Sequence, residues 1–296
     1  MEKEEREKWI LAGKIGKEVR ELGISMCKPG TKLIDIAEAI EKKTQEMGAK
    51  PSFPPNLSIN QIAAHYTPKF EDKTELKEGD IIKIDVGASV DGYLSDTAAT
   101  TVVGVGENPL VKSAKDALDS VMRIIKPGMP IIEISSVIED TIRKAGFSPI
   151  VNLGGHGVGK YSLHEGEFIA NARNYSESYL RKEGIVAVEP FATTGGGYVI
   201  DSSEVQILSL IKSKNVRSSL GREILKFIEE EYHELPFAKR WIMNKFGRLA
   251  DMELKALVAN GALNEFNVLK EKDNGMVAQF EHSFLFDDGK VTVTTL

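Results

Sequence analysis

An internal repeat constrains this chain more than any other feature of its sequence. Residues 28–51 align with residues 126–149 at an offset of 98 positions, and nine of the 24 aligned pairs are identical. Average composition predicts only about one or two identities by chance. Two copies at so long a spacing do not make a solenoid. We therefore expect two similar halves, each with helices followed by strands, that pack about a pseudo-twofold axis and form a cleft where they meet.

Hydrophobic periodicity assigns the same order of elements to both halves. The predicted elements of the first half are helices at 10–22 and from 33 to the glycine at 48, then strands at 81–86 and 93–103. Those of the second half are helices near 109–126 and 131–145, then strands near 150–156, 185–194, 277–286 and 290–295. The pattern predicts an α+β fold.

The stretch 209–270 departs from this pattern. It carries 11 Lys+Arg against 8 Asp+Glu, and its apolar spacing predicts helices near 218–232, 238–246 and 250–260. We interpret it as a helical subdomain inserted in the second half, with a winged-helix-like arrangement as one alternative. The catalytic domain would then comprise residues 1–208 and 271–296, with halves of about 1–105 and 106–296.

Composition excludes several classes of protein. The formal net charge of −6 disfavours a protein that binds nucleic-acid backbones. A single cysteine, Cys27, excludes an intramolecular disulfide. The start of the chain is too charged for a signal peptide, and no apolar run approaches 18 residues. We expect a cytoplasmic protein that binds neither membranes nor DNA.

Two aspartates on neighbouring strands are the first candidates for chemistry. A hairpin with a four-residue loop at 89–92 would place Asp85 directly opposite Asp96. Two carboxylates so close together repel each other, which raises one pKa or favours a bound cation. The alternative to a functional pair is that one aspartate is buried and the other exposed, each at the end of a strand.

The second half supplies further candidate ligands. Glu189 ends an apolar strand in the way that Asp85 does in the first half, so pseudo-symmetry would bring both acids to the cleft. Glu281 lies in another strand-like segment, and His156 follows two glycines that allow a close approach of the backbone. Taken singly, His156 also fits a hydrogen-bonded turn residue.

Together these residues form a set of four carboxylates and one imidazole. Oxygen-rich ligands suit Mn, Fe or Co better than a structural Zn site, and four carboxylates can balance two divalent ions. Paired metal ions lower the pKa of a water molecule and polarise a carbonyl group. The residues therefore indicate hydrolysis of an amide or an ester.

Four other histidines remain. His65 and His164 lack a helical i, i+4 partner, so they form no zincin-type pair. Each can donate a hydrogen bond to a substrate carbonyl or a developing oxyanion, or can be a surface or capping residue. We expect His233 and His282 to be structural.

In their order and local sequence, these residues resemble the methionine aminopeptidases of the pita-bread (creatinase/aminopeptidase-like) fold. The matching segments are PSFPPNLSIN (51–60), AAHYTP (63–68), KIDVGASVDGYLSDTA (83–98), NLGGHG (152–157), EPFAT (189–193) and AQFEH (278–282). The helical insertion, with ELPFAKRW at 234–241, resembles the type 2 subclass, and the short N-terminal region resembles its archaeal form.

The resemblance implies a ligand set and an activity. It implies that two divalent ions, drawn from Co, Mn, Fe and Zn, are held by Asp85, Asp96, His156, Glu189 and Glu281. Asp96 and Glu281 would bridge the ions, and His65 and His164 would contact the substrate. The activity would be removal of the initiator methionine from nascent proteins whose second residue is small. The residues alone indicate a two-metal hydrolase and do not indicate methionine.

A mechanism follows as a hypothesis. The substrate's free amine would bind one metal ion, and a bridging hydroxide would attack the carbonyl carbon. His164 would stabilise the oxyanion, and Glu189 would carry a proton to the leaving amine. Phe53, Leu163 and His65 are the candidates for the pocket that holds the methionine side chain.

Two alternative functions remain. One is an Xaa-Pro dipeptidase of the same fold, although such enzymes usually carry a further N-terminal domain. The other is a non-catalytic relative that binds the ribosome or RNA through its insertion, although such relatives would be expected to have lost ligands. We expect a monomer that acts on the N-termini of nascent polypeptides, with the ribosome as a candidate partner.

Overall fold

The computed structural model describes residues 1–104, 106–174 and 176–296. The predicted boundary between the halves, at residue 105, lies outside the described residues. The elements of the first half are α1 (Lys3–Met26), α2 (Leu33–Glu46), β1 (Lys50–Pro51), β2 (Asn56–Ile59), β3 (Ile62–Ala64), β4 (Ile81–Val86), β5 (Ala88–Val90), β6 (Tyr93–Leu94) and β7 (Thr97–Val102).

The second half begins with two helices and five strands. They are α3 (Pro109–Met122), α4 (Ile131–Lys144), β8 (Ser148–Pro149), β9 (Gly154–Val158), β10 (Phe168–Ala170), β11 (Gly184–Val188) and β12 (Phe191–Thr193). The remaining elements are β13 (Val199–Leu210), α5 (Ser219–Glu231), β14 (Phe237–Ala238), α6 (Lys239–Phe246), α7 (Ala250–Ala259), β15 (Leu263–Glu271), β16 (Val277–Gln279), β17 (His282–Asp287) and β18 (Lys290–Val293).

The sequence repeat has a structural counterpart. Helix α4 and strand β8 start and end 98 positions after α2 and β1. Gly30 and Gly128, in the two Lys-Pro-Gly tripeptides, both adopt positive φ angles, of 82° and 73°. Glycine adopts this conformation at little cost, which explains why both turns carry it.

A sheet in each half carries the central strands. In the first half the strand order is β2-β4-β7, and in the second it is β10-β9-β11-β17-β18. The two sheets touch where Ala98 and Glu281 form an antiparallel bridge. One apolar core, around Leu33, Ile36 and Ile84, joins the first sheet to α1 and α2. A second core joins α3 and α4 to the sheets of the second half.

Two long strands and three helices form a further layer. Strands β13 and β15 pair along most of their length within the sheet β14-β13-β15-β3. Helices α5, α6 and α7 pack around a separate apolar core that includes Ile224, Leu254 and Leu257. These helices lie close to the predicted positions, whereas the long strands were not predicted. The division of the chain into a catalytic domain and an inserted subdomain stays a prediction.

The predicted hairpin register is wrong. Asp85 pairs with Ala98, and Val90 pairs with Tyr93, so the turn contains only Asp91 and Gly92. Both turn residues have positive φ angles, of 52° and 86°, as a tight two-residue turn requires. Asp96 is therefore two residues from the position opposite Asp85. A shift of two keeps both side chains on one face, because strand side chains alternate with a period of two.

Within the described residues, no helix combines the length and the apolar character needed to cross a bilayer.

Candidate active site and metal centre

One cavity gathers the side chains that the sequence singled out. It has a volume of about 360 Å³ and lies between the two halves and the long strands. Its lining includes every predicted site residue: Phe53, His65, Asp85, Asp96, His156, Leu163, His164, Glu189 and Glu281.

The first half contributes two buried aspartates. Asp85 lies within β4, between its cross-strand partners Asn56 and Ala98. Asp96 lies directly before β7, and its backbone N–H donates to the Ser283 hydroxyl at 2.9 Å. The exposed fractions are 8% for Asp85 and 4% for Asp96, so water solvates neither carboxylate well.

The second half contributes two glutamates at strand ends. Glu189 directly follows β11, and Glu281 lies between β16 and β17. The Glu281 backbone exchanges hydrogen bonds with Ala98 of β7, which brings its side chain beside Asp96. Glu281 is 1% exposed, so its carboxylate is almost completely removed from water.

His156 is held on β9 by close packing of three strands. Strand β9 lies between β10 and β11, and a Cβ atom at Gly155 would lie 2.2 Å from the carbonyl oxygen of Ala187. The glycines of this segment therefore permit the strand contact that places the imidazole. The ring Nδ1 lies 3.2 Å from the Gly157 carbonyl oxygen. Because a carbonyl only accepts, we assign the proton to Nδ1, which leaves the Nε2 lone pair free as a ligand.

Three of these side chains already have the spacing of metal ligands. Ligand atoms of Asp96, His156 and Glu281 lie within 4.8 Å of one another. His156 Nε2 is 3.6 Å from Asp96 Oδ2. Asp85 and Glu189 join the same group through Gln279, whose amide nitrogen lies 3.4 Å from Asp85 Oδ2 and 3.1 Å from Glu189 Oε2.

The electrostatics of this cluster favour a bound cation. Burial raises the pKa of Asp85 to about 7. Burial, and then repulsion by neighbouring carboxylates, raises the pKa values of Asp96, Glu189 and Glu281 well above their usual range. Among the described residues, no lysine or arginine forms an ion pair with any of these four acids.

Unpaired carboxylate oxygen atoms also indicate a bound cation. Asp85 Oδ1 and Glu281 Oε1 are buried without a hydrogen-bond partner in the described part of the chain. Buried polar atoms normally find a partner, and buried charges are normally paired or coordinate a metal. Four carboxylates and one neutral imidazole therefore fit divalent metal ions.

His65 occupies a strained position at the cavity wall. Its φ angle of 64° is rare for a residue other than glycine, and such outliers often mark functional sites. The ring Nδ1 lies 3.2 Å from the Asn267 carbonyl oxygen, and burial lowers the pKa of His65 to about 4. The ring is therefore neutral near pH 7, with its proton on Nδ1 and Nε2 free to accept a hydrogen bond.

His164 lies beside the candidate ligands without joining them. Its ring centroid is 4.3 Å from that of His156, and the residue is exposed at the cavity. Apolar side chains complete the lining. Phe53 is buried, Leu163 is half-buried, and Phe191 and Phe266 line the same cavity.

The other two histidines lie outside this cavity. His233 packs edge-to-face against Tyr161, with 4.7 Å between ring centroids. His282 Nδ1 lies 2.9 Å from the Thr295 hydroxyl. Both arrangements agree with the structural roles that the sequence favoured.

Sequence reasoning missed two polar residues that lie beside the acids of this site. Asn56 lines the cavity beside Asp85, and Gln279 bridges two of the acids. Gln279 precedes Glu281 by two residues on the same segment, and a period of two places both on one face. That spacing is the sequence feature that could have identified Gln279 as a residue of the site.

Comparison with known proteins identifies the family of this chain. The model of the family described as "Metallopeptidase family M24" matches residues 7–253. The chain belongs to metallopeptidase family M24. Membership of this family confirms the predicted dependence on divalent metal ions.

Relatives of known name match along nearly the whole chain. A protein of Thermococcus onnurineus named "Methionine aminopeptidase" is 46% identical over 297 residues, which cover 99% of this chain and 100% of the relative. A protein of Pyrococcus abyssi with the same name is 46% identical over 98% of this chain and 99% of the relative.

Solved structures share the fold. A structure titled as a thermophilic Arx1 has a TM-score of 0.87 at 19% identity, covering 99% of this chain and 91% of that one. The methionine aminopeptidase of Thermotoga maritima has a TM-score of 0.72 at 22% identity, and the match covers 100% of this chain and 98% of that one. The predicted α+β pita-bread fold is confirmed.

Proposed function

We propose that this M24 peptidase is a methionine aminopeptidase that removes the initiator methionine when the second residue is small. The observation that carries the proposal is the convergence of four carboxylates without a cationic partner and one imidazole in a single cavity, where Asp85, Asp96 and Glu281 are buried and Glu189 is half-buried. The names of relatives at 46% identity over nearly the full length support methionine as the residue removed.

The five side chains would hold two divalent ions. The proposed ligands are Asp85, Asp96, His156, Glu189 and Glu281. When bound, the ions would polarise the substrate carbonyl and lower the pKa of a water molecule. Four carboxylates and two divalent cations balance in charge, which would relieve the repulsion among the buried acids.

Glu189 is the proposed proton carrier. Its Oε2 accepts a hydrogen bond from Gln279, which leaves Oε1 to face the reacting groups. As a carboxylate, it would take up the proton that the attacking water molecule loses and pass it to the leaving amine.

The two cavity histidines would take complementary roles. His164 is exposed at the cavity, where it can donate a hydrogen bond to the substrate carbonyl as negative charge develops on its oxygen. His65 has its proton committed to Asn267, so its free Nε2 would accept a hydrogen bond from a substrate N–H. Donation from His65, the role that the sequence suggested, is therefore disfavoured.

The apolar part of the lining is the proposed methionine pocket. Phe53 and Leu163 lie in the same cavity as the acids, together with Phe191 and Phe266. A thioether side chain suits such a lining because sulfur contacts aromatic rings favourably. The second substrate residue would lie against the cavity wall, which limits its size.

The alternatives are less well supported. An Xaa-Pro dipeptidase is not favoured by the names of the relatives at 46% identity. A non-catalytic ribosome- or RNA-binding role leaves the convergence of four acids in one cavity unexplained. We propose that the protein acts as a cytoplasmic monomer on the N-termini of nascent chains, with the ribosome as a candidate partner.

Peptide hydrolysis tests the proposal directly. The full chain is assayed with Met-Ala-Ser, with Met-Leu-Ser and with the dipeptide Ala-Pro, each with and without a chelator. We expect methionine release from Met-Ala-Ser, little from Met-Leu-Ser, and none once the chelator is present. Cleavage of Ala-Pro alone would establish the dipeptidase, and no cleavage of any peptide with metal supplied would reject the enzyme.

A further inference from the structure

One buried amide side chain touches an acid from each half of the molecule. Gln279 is the last residue of β16, it is fully buried, and it pairs with Phe191 of β12. Its backbone N–H donates to the Thr100 hydroxyl at 2.8 Å, and that hydroxyl donates to the Gln279 carbonyl at 2.6 Å. Strands from both halves therefore fix the backbone from which its side chain projects.

The amide nitrogen serves two carboxylates at once. It lies 3.4 Å from Asp85 Oδ2 and 3.1 Å from Glu189 Oε2, and its two hydrogens can satisfy both. The reverse orientation would place the amide oxygen against two acids. The hydrogen bond from Gln279 lowers the pKa of each acid, which opposes the larger effect of burial.

These two contacts select which oxygen of each acid remains available. Asp85 Oδ2 and Glu189 Oε2 face the amide, whereas Asp85 Oδ1 is buried and has no partner in the described residues. The amide is also neutral. A lysine or arginine at this position would cancel part of the negative charge that the ions require, and a further acid would add to the repulsion.

We propose that Gln279 is a positioning residue for the paired metal ions, and that it fixes the orientation of Asp85 and Glu189 so that one oxygen of each faces the ions. This inference rests on the proposed ligand set. It assigns a role to a residue outside the proposed ligand set, which acts through Asp85 and Glu189. Hydrogen-bond partners of metal ligands typically contribute 10–100-fold to metal affinity.

Metal binding by three variants tests the inference. Gln279→Met keeps the length of the side chain and removes the donor. Gln279→Asn keeps an amide that is one methylene shorter, so it cannot reach both acids. Asn171→Leu is the matched control, because Asn171 is also a fully buried amide with one donated hydrogen bond, to the Leu153 carbonyl at 3.0 Å, and an unpaired oxygen.

The readouts are Co²⁺ affinity, by competition with a chelator, and the visible absorption spectrum of the bound Co²⁺. We expect about 10–100-fold weaker binding and an altered spectrum for Gln279→Met, a smaller change for Gln279→Asn, and neither change for Asn171→Leu. A role in folding alone would lower the melting temperature without altering the Co²⁺ spectrum.

Each outcome decides the matter. Wild-type affinity and spectrum in Gln279→Asn, or in a folded Gln279→Met, would overturn the inference, and the Asn variant decides alone if the Met variant does not fold. Equal losses in Asn171→Leu would also overturn it. Failure of the unmodified protein to bind Co²⁺ would instead reject the ligand set on which the inference rests.

Discussion

The two halves of the molecule share a backbone plan and differ in what they bring to the cavity. In the first half Asp85 of β4 lies opposite Asn56 of β2. In the second half the register of β11 on β9, continued by two residues, places Glu189 opposite Gly154. Each half thus carries an acid near the end of an inner strand, but an amide faces one acid and a glycine faces the other.

A second pair of positions shows the same contrast. Ser58 on β2 and His156 on β9 are related by the offset of 98 that relates the helices, and only His156 can bind a metal. The repeat therefore preserves the positions of the strands, while single substitutions decide which half supplies which ligand. The site is functionally asymmetric on a nearly symmetric frame.

The largest effects are expected from removing one acid of each half. Asp85→Asn and Glu189→Gln keep the size of each side chain and remove one negative charge. We expect either change to reduce methionine release to background, because the same group of carboxylates would hold both ions and each acid contributes to it. Peptide assays and metal content would measure this. If one variant kept full activity, the two acids would not be equivalent ligands.

Glu271→Gln is the matched control for those variants. Glu271 is also fully buried, but it accepts hydrogen bonds from the backbone N–H groups of Gly197, Asp273 and Gly275. It serves the fold and not the cavity. We expect this variant to lose stability and to keep its metal ions.

His164→Ala is the next prediction. Loss of a hydrogen-bond donor to a developing oxyanion typically costs about 10²–10³-fold in kcat. We expect a loss of this size in kcat for Met-Ala-Ser, with the metal content unchanged. A loss of metal would show that His164 binds an ion and does not act on the substrate.

His65→Ala gives a prediction about pH. Because burial lowers the pKa of His65 to about 4, the ring is neutral at every pH above about 5. The ratio of wild-type to variant kcat/KM should therefore be constant between about pH 5.5 and 8. A ratio that changes with a midpoint near pH 6.5 would show that His65 acts as a titrating group.

The smallest effects should be equal in both halves. Gly30→Ala and Gly128→Ala each place a side chain at a positive φ angle, which costs about 1–2 kcal/mol. An added Cβ would meet nothing within 4 Å at Gly30 and only Lys182, at 3.4 Å, at Gly128. We expect similar decreases in melting temperature, about 2–4 °C each.

Gly106→Ala is the control for the glycine pair. A Cβ at Gly106 also meets nothing within 4 Å, and its φ angle is outside the left-handed range. Its melting temperature should stay at the wild-type value. Unequal losses at Gly30 and Gly128 would show that the two turns are not energetically equivalent.

The sequence predicts the repeated helices well and the sheet register poorly. Regular apolar spacing and the glycines at the ends of the repeat define α2 and α4, because these helices bury one face. The Asp91-Gly92 turn shows the opposite case. The loop length depends on which residues pair, and pairing depends on the sheet as a whole. The long strands β13 and β15 were missed because their exposed residues lack a clear alternation.

The sequence predicted which residues line the site but not the contacts between them. The types and order of the acids, together with the resemblance, indicated which residues would meet. They did not indicate that Gln279 lies between two acids, or that the His65 proton is committed to Asn267. Those facts depend on contacts between segments about 90 to 200 residues apart, which a local pattern does not encode.

Crystals grown with Mn²⁺ give the most direct test of the central claim. We predict two anomalous peaks, about 3.5–4 Å apart, surrounded by Asp85, Asp96, His156, Glu189 and Glu281. No peak at these side chains, in protein that still releases methionine, would contradict the account.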